Sequence, residues 1–400
     1  MKDTRKLILF IILRGAIFGV NSLTEQEKGM LKSNSDWRNV FEELKTQAVL
    51  FLVFPILDEL NIDDLQLLSS IRQDCFYSQV KCHQIAFAQK EMLGLLQQKG
   101  IPCVIIKGFA AAQYYPKPFL RAPGDVDFLV ARKDFIKAKE LLEKNGFRLL
   151  NDVSYVGHHC EYVKNGVCFE LHRWLGGLDT SDEQTILFFE NNIQNSELGH
   201  VDKYCFPTYQ DPINGLVLLQ HINQHLRGGI GLKQVIDWML FVEHYLSDDI
   251  WTNGFSNLVD QLGLKTLAVT VTAMCQKYLG LTKDIHWCKS ADPSTCDELM
   301  DYVLRKGNLG IKVDEEDQIA SFWTTVHNPI SFFKRLQKYG LWRWEKARKN
   351  RLLKPFAWVY QIIYILKTLK QQNRSISEMK KLYMQGKKRG ELIEKLGLKR

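Results

Sequence analysis

A chain of 400 residues is long enough for two or three domains that each bury a core of their own. With 46% hydrophobic and 24% charged residues, ten prolines and no biased tract, its composition excludes a disordered or fibrous protein. The net charge of +8 is uneven: residues 331–400 hold 20 Lys or Arg and 4 Asp or Glu, which makes them +16 and residues 1–330 −8.

The opening segment, residues 7–20, superficially resembles the apolar part of a signal peptide. However, Arg14 interrupts it, and no small-residue cleavage site follows. Its apolar residues, among them Leu7, Phe10 and Phe18, suit one side of a helix that packs on the domain, and this is what we predict. No other run reaches 18 uncharged apolar residues, so no transmembrane helix is predicted.

Nine cysteines form an odd set with no CxxC pair, which predicts reduced thiols and a cytoplasmic protein. Cys160 stands beside His158 and His159, three residue types that bind metals. Because no second cluster follows at ligand spacing, neither a zinc site nor a disulfide framework is predicted.

In chain order, residues 24–99 repeat apolar side chains every three or four positions, and the helix over 85–99 ends at Gly100. We therefore predict a helical N-terminal region over residues 1–99. The next segments have strand and helix patterns in alternation, ending in an Asn-Gly hairpin turn at 165–166. Strands are predicted at 102–106, 125–130, 147–150, 155–163 and 167–172, with helices at 109–115 and 134–144.

These elements predict an α+β (mixed α/β) fold, with a small mixed sheet flanked by helices inside a core domain over residues 100–206. Residues 207–280 are predicted as a helical region that completes a cleft, with helices at 212–226, 232–246 and 251–262. The remainder, 281–400, is predicted to hold a loop-rich segment at 282–325, with an acidic run at 314–317, and a basic helical C-terminal region.

Two carboxylates stand at the start of the predicted strand 125–130. Asp125 and Asp127 are two residues apart, so both side chains project from one face of the strand. Glu170 is the best third carboxylate, because the strand 167–172 is apolar except at Glu170 and His172, which share a face. Such oxygens suit Mg²⁺, and phosphoryl transfer uses this ion, so we predict a metal-binding catalytic centre.

Three segments match a known family in order and spacing. They are Ile105-Ile-Lys107-Gly108-Phe-Ala-Ala-Ala-Gln-Tyr-Tyr115, Arg121-Ala-Pro-Gly-Asp125-Val-Asp127-Phe-Leu-Val130 and Phe169-Glu170-Leu-His172. With looser similarity at 221–227 and 232–237, the chain resembles the uncharacterised nucleotidyltransferase group of the DNA polymerase β-like superfamily over most of residues 5–250. The resemblance implies two Mg²⁺ ions, or Mn²⁺, held by Asp125, Asp127 and Glu170, and transfer of a nucleoside monophosphate from a nucleoside triphosphate.

The chain departs from the superfamily at one turn. The superfamily usually has Gly-Ser after the first strand, whereas this chain has Lys107-Gly108. Gly108 can still open a helix N-terminus that favours an anion, and Lys107 can add a point charge to the same phosphate.

Other polar residues are candidates for the same cleft. Arg121 is predicted to bind a phosphate, to pair with Asp125, or to fix the turn. His172 is predicted to orient Glu170 or touch the substrate, or else to be a satisfied strand histidine.

A second set lies beyond the core. His221 and His225 share one helix face, with Arg227 and Asp237 beyond them, so the four are predicted to line the cleft and hold acceptor or triphosphate, or else to pack between helices.

The leading hypothesis is a Mg²⁺-dependent nucleotidyltransferase that modifies a hydroxyl or phosphate of a small molecule or protein. The alternatives are a catalytically silent nucleotide-binding module, and an adaptor that binds an anionic partner through the basic tail. Trp342 and Trp344 mix with basic residues there, which fits RNA or an acidic lipid surface, or simply a helical cap.

Overall fold

The computed structural model describes residues 3–152, 157–178, 181–312, 329–371 and 376–398. It divides the chain into two compact units, residues 1–312 and 313–400. The first unit combines one mixed sheet with flanking helices, so the predicted fold class is confirmed.

The N-terminal part of the first unit is helical, as predicted. Its helices are α1 (Asp3–Phe18), α2 (Glu25–Lys32), α3 (Trp37–Thr46) and α4 (Leu65–Gln98), with a 3-10 helix at Leu50–Glu59. Helix α1 packs into the unit, but the predicted single apolar side is wrong: Leu7 is 42% exposed, whereas residues 8–13 are all buried. In the described parts of the chain, no helix combines the length and apolar character needed to cross a membrane.

The sheet has seven strands: β1 (Cys103–Ile105), β2 (Val126–Val130), β3 (Arg148–Asp152), β4 (His159–Lys164), β5 (Val167–His172), β6 (Glu197–Val201) and β7 (Tyr204–Thr208). Their order is β3-β4-β5-β2-β1-β7-β6. The neighbours β2 and β5 run parallel, as do β1 and β7, while the other adjacent pairs are antiparallel. The predicted Asn-Gly turn joins β4 to β5, with positive φ at Asn165 and Gly166.

One face of the sheet packs against α4 and α6 (Phe135–Lys144). Met92 and Leu96 of α4 join Phe128, Phe169 and other sheet residues in one hydrophobic core. Side chains alternate between faces along a strand, so the residues between these core positions point to the opposite face. The opposite face therefore carries the polar residues of β2, β4 and β5.

The helices that follow the core are α7 (Glu183–Asn192), α8 (Ile213–His225), α9 (Leu232–His244), α10 (Asp248–Ile250), α11 (Ser256–Gln261), α12 (Lys265–Leu279) and α13 (Pro293–Lys306), and a short helix, α5 (Gly108–Ala112), follows β1. A π-helical stretch, Trp251–Phe255, joins α10 to α11. Helix α13 falls inside a segment predicted as loop mixed with short helices; Asp292 caps it by accepting from the Thr295 amide, and Pro293 is its first residue. The predicted acidic run at 314–317 and the first residues of the predicted strand 155–163 lie outside the described residues.

The second unit is helical where it is described, with α14 (Pro329–Arg343), α15 (Glu345–Lys349), α16 (Ala357–Gln371) and α17 (Ile376–Lys395). Helices α14 and α16 approach closely, because a Cβ on Gly340 would lie within van der Waals exclusion distance of the Ala357 backbone. Trp344 stacks on Tyr360, with ring centroids 5.1 Å apart, whereas Trp342 is 43% exposed. Binding of an anionic partner by this basic unit remains a prediction.

Candidate active site

The candidate site lies on the sheet face opposite α4 and α6, where β2 and β5 run side by side. Their parallel pairing places Asp127 directly opposite Glu170, and Leu129 opposite His172. Nε2 of His172 lies 3.0 Å from Oδ1 of Asp127 and 3.1 Å from Oε2 of Glu170. One imidazole therefore bridges two of the three predicted metal ligands.

Lys107 holds a cation at the same place. Its ammonium lies 2.5 Å from Oδ1 of Asp127, and both side chains are largely buried, at 13% and 4% exposure. The residue stands in the turn between β1 and α5 with φ 65° and ψ −148°, a conformation that side-chain-bearing residues rarely adopt. Gly108 follows with φ 44°. The backbone of this turn therefore aims the Lys107 side chain at the carboxylates.

The charges of the centre shift each other's pKa values. Burial lowers the pKa of Lys107, but the charges of Asp127, Glu170 and Asp125 outweigh it, so the net shift is upward. Burial likewise lowers the pKa of His172, and its hydrogen bonds to Asp127 and Glu170 reverse the shift. Burial raises the pKa of Glu170, yet the hydrogen bond from His172 and the charge of Lys107 bring it down to about 2. The positive groups thus keep Glu170 ionised.

Asp125 stands one residue before β2 begins at Val126, so it lies in the turn rather than in the strand. Among the described residues, three groups of possible ligands lie close enough to hold an ion, and Asp125 belongs to none of them. After burial and the nearer charges, Asp125 still contributes to the pKa shifts of Lys107 and Glu170. The structure therefore brings Asp125 within electrostatic reach of the centre but not into its tightest cluster.

Arg121 pairs with Asp237 and not with Asp125. Its Nε and one terminal nitrogen donate to the two oxygens of Asp237 at 2.7 and 2.8 Å, and the hydroxyl of Tyr115 donates to Oδ1 at 2.7 Å. Arg121 and Asp237 are 7% and 1% exposed. This buried bidentate pair joins the turn before β2 to helix α9, so it supports the site from behind; phosphate binding by Arg121 remains a prediction.

His221 and His225 occupy one face of α8, with ring centroids 4.6 Å apart. Burial, followed by the charge of Lys107, lowers the pKa of His225 to about 4 and that of His221 well below its ordinary value. Both histidines are therefore neutral near pH 7 and lie within electrostatic reach of Lys107. Arg227 follows α8 and is partly buried. Their roles as ligands for substrate remain predictions.

Sequence reasoning missed Lys233, at the start of α9. A Cβ on Gly124 would lie 3.8 Å from its Nζ, so the ammonium lies over the turn that leads into Asp125. Burial, then the charge of Arg121, lowers the pKa of Lys233 to about 8, although Asp237 and Asp125 act in the opposite direction. The signal was available, since Lys233 stands four residues before Asp237 and therefore shares its helix face.

Sequence reasoning also missed the carboxylate and histidines of the neighbouring strand β4. Glu161 is paired with Glu170 across the β4–β5 ladder, and His159 with His172. Nε2 of His159 lies 3.2 Å from Oε1 of Glu161. The alternation of β4 was visible, but its pairing partner was not, so these residues were not joined to the site.

The donor set fits a divalent cation. Asp127, Glu170 and His172 each offer one ligand atom, and these atoms lie within 4.8 Å of one another. Hard carboxylate oxygens suit Mg²⁺ and Mn²⁺, and the buried Asp127 needs a cationic partner, which Lys107 supplies here. A cation at this point would take over the neutralising role of the ammonium.

A mixed sheet with an acidic, partly buried centre on two adjacent parallel strands is the fold expected of an α+β nucleotidyltransferase. A family described as "uncharacterised nucleotidyltransferase" matches residues 33–280. Because the match covers more than half of the chain, the protein belongs to this family. No curated protein and no solved structure matches the chain.

Proposed function

We propose that the protein is a Mg²⁺-dependent nucleotidyltransferase that moves a nucleoside monophosphate from a nucleoside triphosphate to a hydroxyl or phosphate acceptor on a small molecule or protein. The observation that carries this proposal is the pairing of Asp127 with Glu170 on adjacent parallel strands, inside the part of the chain that matches the family. Two carboxylates held rigidly by hydrogen-bonded strands form a preorganised charge centre for phosphoryl transfer.

Asp125, Asp127 and Glu170 are the residues that would hold the ions. When bound, Mg²⁺ neutralises the triphosphate and polarises the phosphoryl oxygens. The pKa of about 2 suits Glu170 to a ligand role better than to that of a base, because a group so weakly basic accepts a proton poorly near pH 7.

Two ammonium groups are placed to bind the phosphates. Lys107 lies at the carboxylates and Lys233 over Gly124, on either side of the turn that precedes β2. In the proposed reaction, an acceptor oxygen attacks the α-phosphorus, the bond from that phosphorus to the bridging oxygen of pyrophosphate breaks, and a hydroxyl acceptor releases its proton to solvent. The lysines hold the departing pyrophosphate, whose negative charge increases during this step.

The position of the label in the triphosphate provides the test. Purified protein with Mg²⁺ receives ATP, GTP, CTP or UTP labelled on the α-phosphate or on the γ-phosphate, with protein and small-molecule acceptor pools. We expect α-label in the acceptor and γ-label in pyrophosphate. Asp127→Asn and Glu170→Gln should lower the rate at least about a hundredfold, as removal of single charge-stabilising groups does elsewhere. Glu197→Gln, on the exposed edge strand β6, is the matched control and should retain activity.

One observation favours a second function, that of a silent nucleotide-binding module. The Lys107 ammonium already neutralises Asp127, so a nucleotide can bind at this centre without the ions that transfer requires. Saturable triphosphate binding that produces no pyrophosphate, and that is indifferent to Asp125→Asn and Asp127→Asn, would support the module and contradict the transferase.

A further inference from the structure

Three histidine rings meet where β4 begins and β5 ends, beside the carboxylate centre. His159 is the first residue of β4 and is paired directly with His172, the last residue of β5, while His158 precedes β4. Each offers a ring nitrogen, and these nitrogens lie within 4.8 Å of one another. The ring centroids are 4.5 Å apart for His158 and His159, 5.3 Å for His158 and His172, and 5.2 Å for His159 and His172.

These separations are close to those of imidazoles around one metal ion. A zinc–nitrogen distance of about 2.1 Å puts a ring centre about 3.2 Å from the ion, so two rings in tetrahedral arrangement lie about 5.2 Å apart. The same geometry puts ligand nitrogens about 3.4 Å from each other, so the outer limit of 4.8 Å requires side-chain movement of only about 1.4 Å. Rotation of the side chains can supply this without a change in the strands.

The hydrogen bonds of His172 leave one nitrogen available. The ring is 1% exposed, and its Nε2 faces Asp127 and Glu170. Ionised carboxylates only accept hydrogen bonds, so Nε2 carries the proton and Nδ1 presents a lone pair when the ring is neutral. That Nδ1 is buried and has no hydrogen-bond partner within the described ranges. A buried polar atom in this condition is costly unless something binds it.

The other two rings repeat this pattern. His159 has its Nε2 at Glu161, while its Nδ1 is buried and has no partner among the residues described. The Nε2 of His158 is buried in the same state. Histidines that bind metals commonly donate their second ring nitrogen to a carboxylate, as His159 and His172 do here.

We propose that His158, His159 and His172 bind one divalent transition-metal ion of the zinc class, in a site next to the Mg²⁺ centre. Three imidazoles favour Zn²⁺ or a neighbouring transition metal over Mg²⁺, which prefers oxygen. Three protein ligands leave a fourth coordination position for water or another ligand. Because His172 belongs to both groups, the ion fixes its ring and holds the Nε2 proton towards Asp127 and Glu170. The proposal goes beyond nucleotidyl transfer and does not depend on it.

The test uses the full chain, freed of metal with a chelator and titrated with ZnCl₂ in excess MgCl₂ by calorimetry. We expect one equivalent of Zn²⁺ per chain that Mg²⁺ does not displace. His158→Ala and His159→Gln should each weaken Zn²⁺ binding at least about tenfold, since even the loss of an outer-shell partner has effects of this size. His244→Ala, an exposed histidine at the end of α9, is the matched control and should bind Zn²⁺ normally.

Cobalt substitution gives a second readout that needs no variant. Co²⁺ in the wild-type chain should produce the visible absorption bands of a four-coordinate site, and Zn²⁺ should abolish them. Circular dichroism without metal shows which variants are folded. The proposal is overturned if the wild-type chain takes up no stoichiometric Zn²⁺, if Co²⁺ gives only octahedral spectra, or if folded His158→Ala and His159→Gln bind Zn²⁺ as tightly as the control.

Discussion

Removal of the Lys107 ammonium tests how the carboxylate centre is balanced. In Lys107→Met the aliphatic part of the side chain remains, but Asp127 loses a partner at 2.5 Å while 4% exposed. Breaking a buried ion pair from one side typically costs about 3–5 kcal/mol. Because His172 still contacts Asp127 at 3.0 Å, we expect the lower end, a loss of about 3 kcal/mol in the free energy of unfolding.

Lys107→Gly separates the charge from the backbone. Both variants remove the ammonium, but only glycine is at ease at φ 65° and ψ −148°. Relief of backbone strain is worth about 1–3 kcal/mol, and the greater freedom of glycine in the unfolded chain takes back up to about 1 kcal/mol. We therefore expect Lys107→Gly to be more stable than Lys107→Met by about 1 kcal/mol.

Urea denaturation of the two variants, Asp127→Asn and the double variant Lys107→Met with Asp127→Asn measures the coupling between the two side chains. The coupling energy should be about 2–3 kcal/mol. Calorimetric titration should also show that both single Lys107 variants bind Mg²⁺ between about tenfold and a hundredfold more tightly, which corresponds to about 1.4–2.8 kcal/mol. The control is Lys117→Met, an exposed lysine after α5. Zero coupling, or unchanged Mg²⁺ affinity, would refute the view that the ammonium stands in for a cation.

Three further predictions address the surrounding residues. The pKa of His225 is lowered to about 4, so its contribution to stability is present above pH 6.5 and is lost as pH falls towards 4, at about 1.4 kcal/mol per pH unit; His225→Gln should flatten the fall in thermal midpoint over this range, and exposed His244→Gln should not. Arg121→Met should cost about 3–5 kcal/mol in urea denaturation by leaving Asp237 buried and unpaired, and Asp237→Asn added to it should recover part of the loss. If Lys233 binds phosphate, Lys233→Met should raise KM for the triphosphate at least about tenfold in the transfer assay and leave the thermal midpoint nearly unchanged; an unaltered KM counts against that role.

The sequence predicted the centre of the sheet well, because alternation and turn signals are strong there. The strand 167–172 has the predicted bounds, and the Asn-Gly turn at 165–166 joins the predicted pair of strands. Strands β6 and β7 were missed for physical reasons. Strand β6 is mostly exposed, and its turn at Asp202 adopts φ 53° without a glycine, so neither burial nor turn chemistry marks this hairpin.

The candidate site was predicted only as far as residues lie near one another in sequence. Strand spacing can pair Asp125 with Asp127, but it cannot show that Val126 is the first residue of the strand and that Asp125 is left in the turn. Nor can it show that Arg121 is paired with Asp237, because that contact joins residues 116 positions apart. Long-range pairing, rather than local propensity, decides which of the predicted residues meet.

The charges of the centre explain why it can bind and release a charged substrate. Asp127 and Glu170 are already matched by Lys107 and by the raised pKa of His172, so the carboxylates have partners that keep them ionised. A cation with a triphosphate must displace the ammonium from Asp127, and the displaced ammonium then faces the phosphates that arrive with the ion. The exchange replaces one favourable contact with another, which keeps the net binding energy moderate. Strained φ and ψ angles at Lys107 hold its side chain at this point of exchange, which is the reason for a lysine where the superfamily usually has glycine.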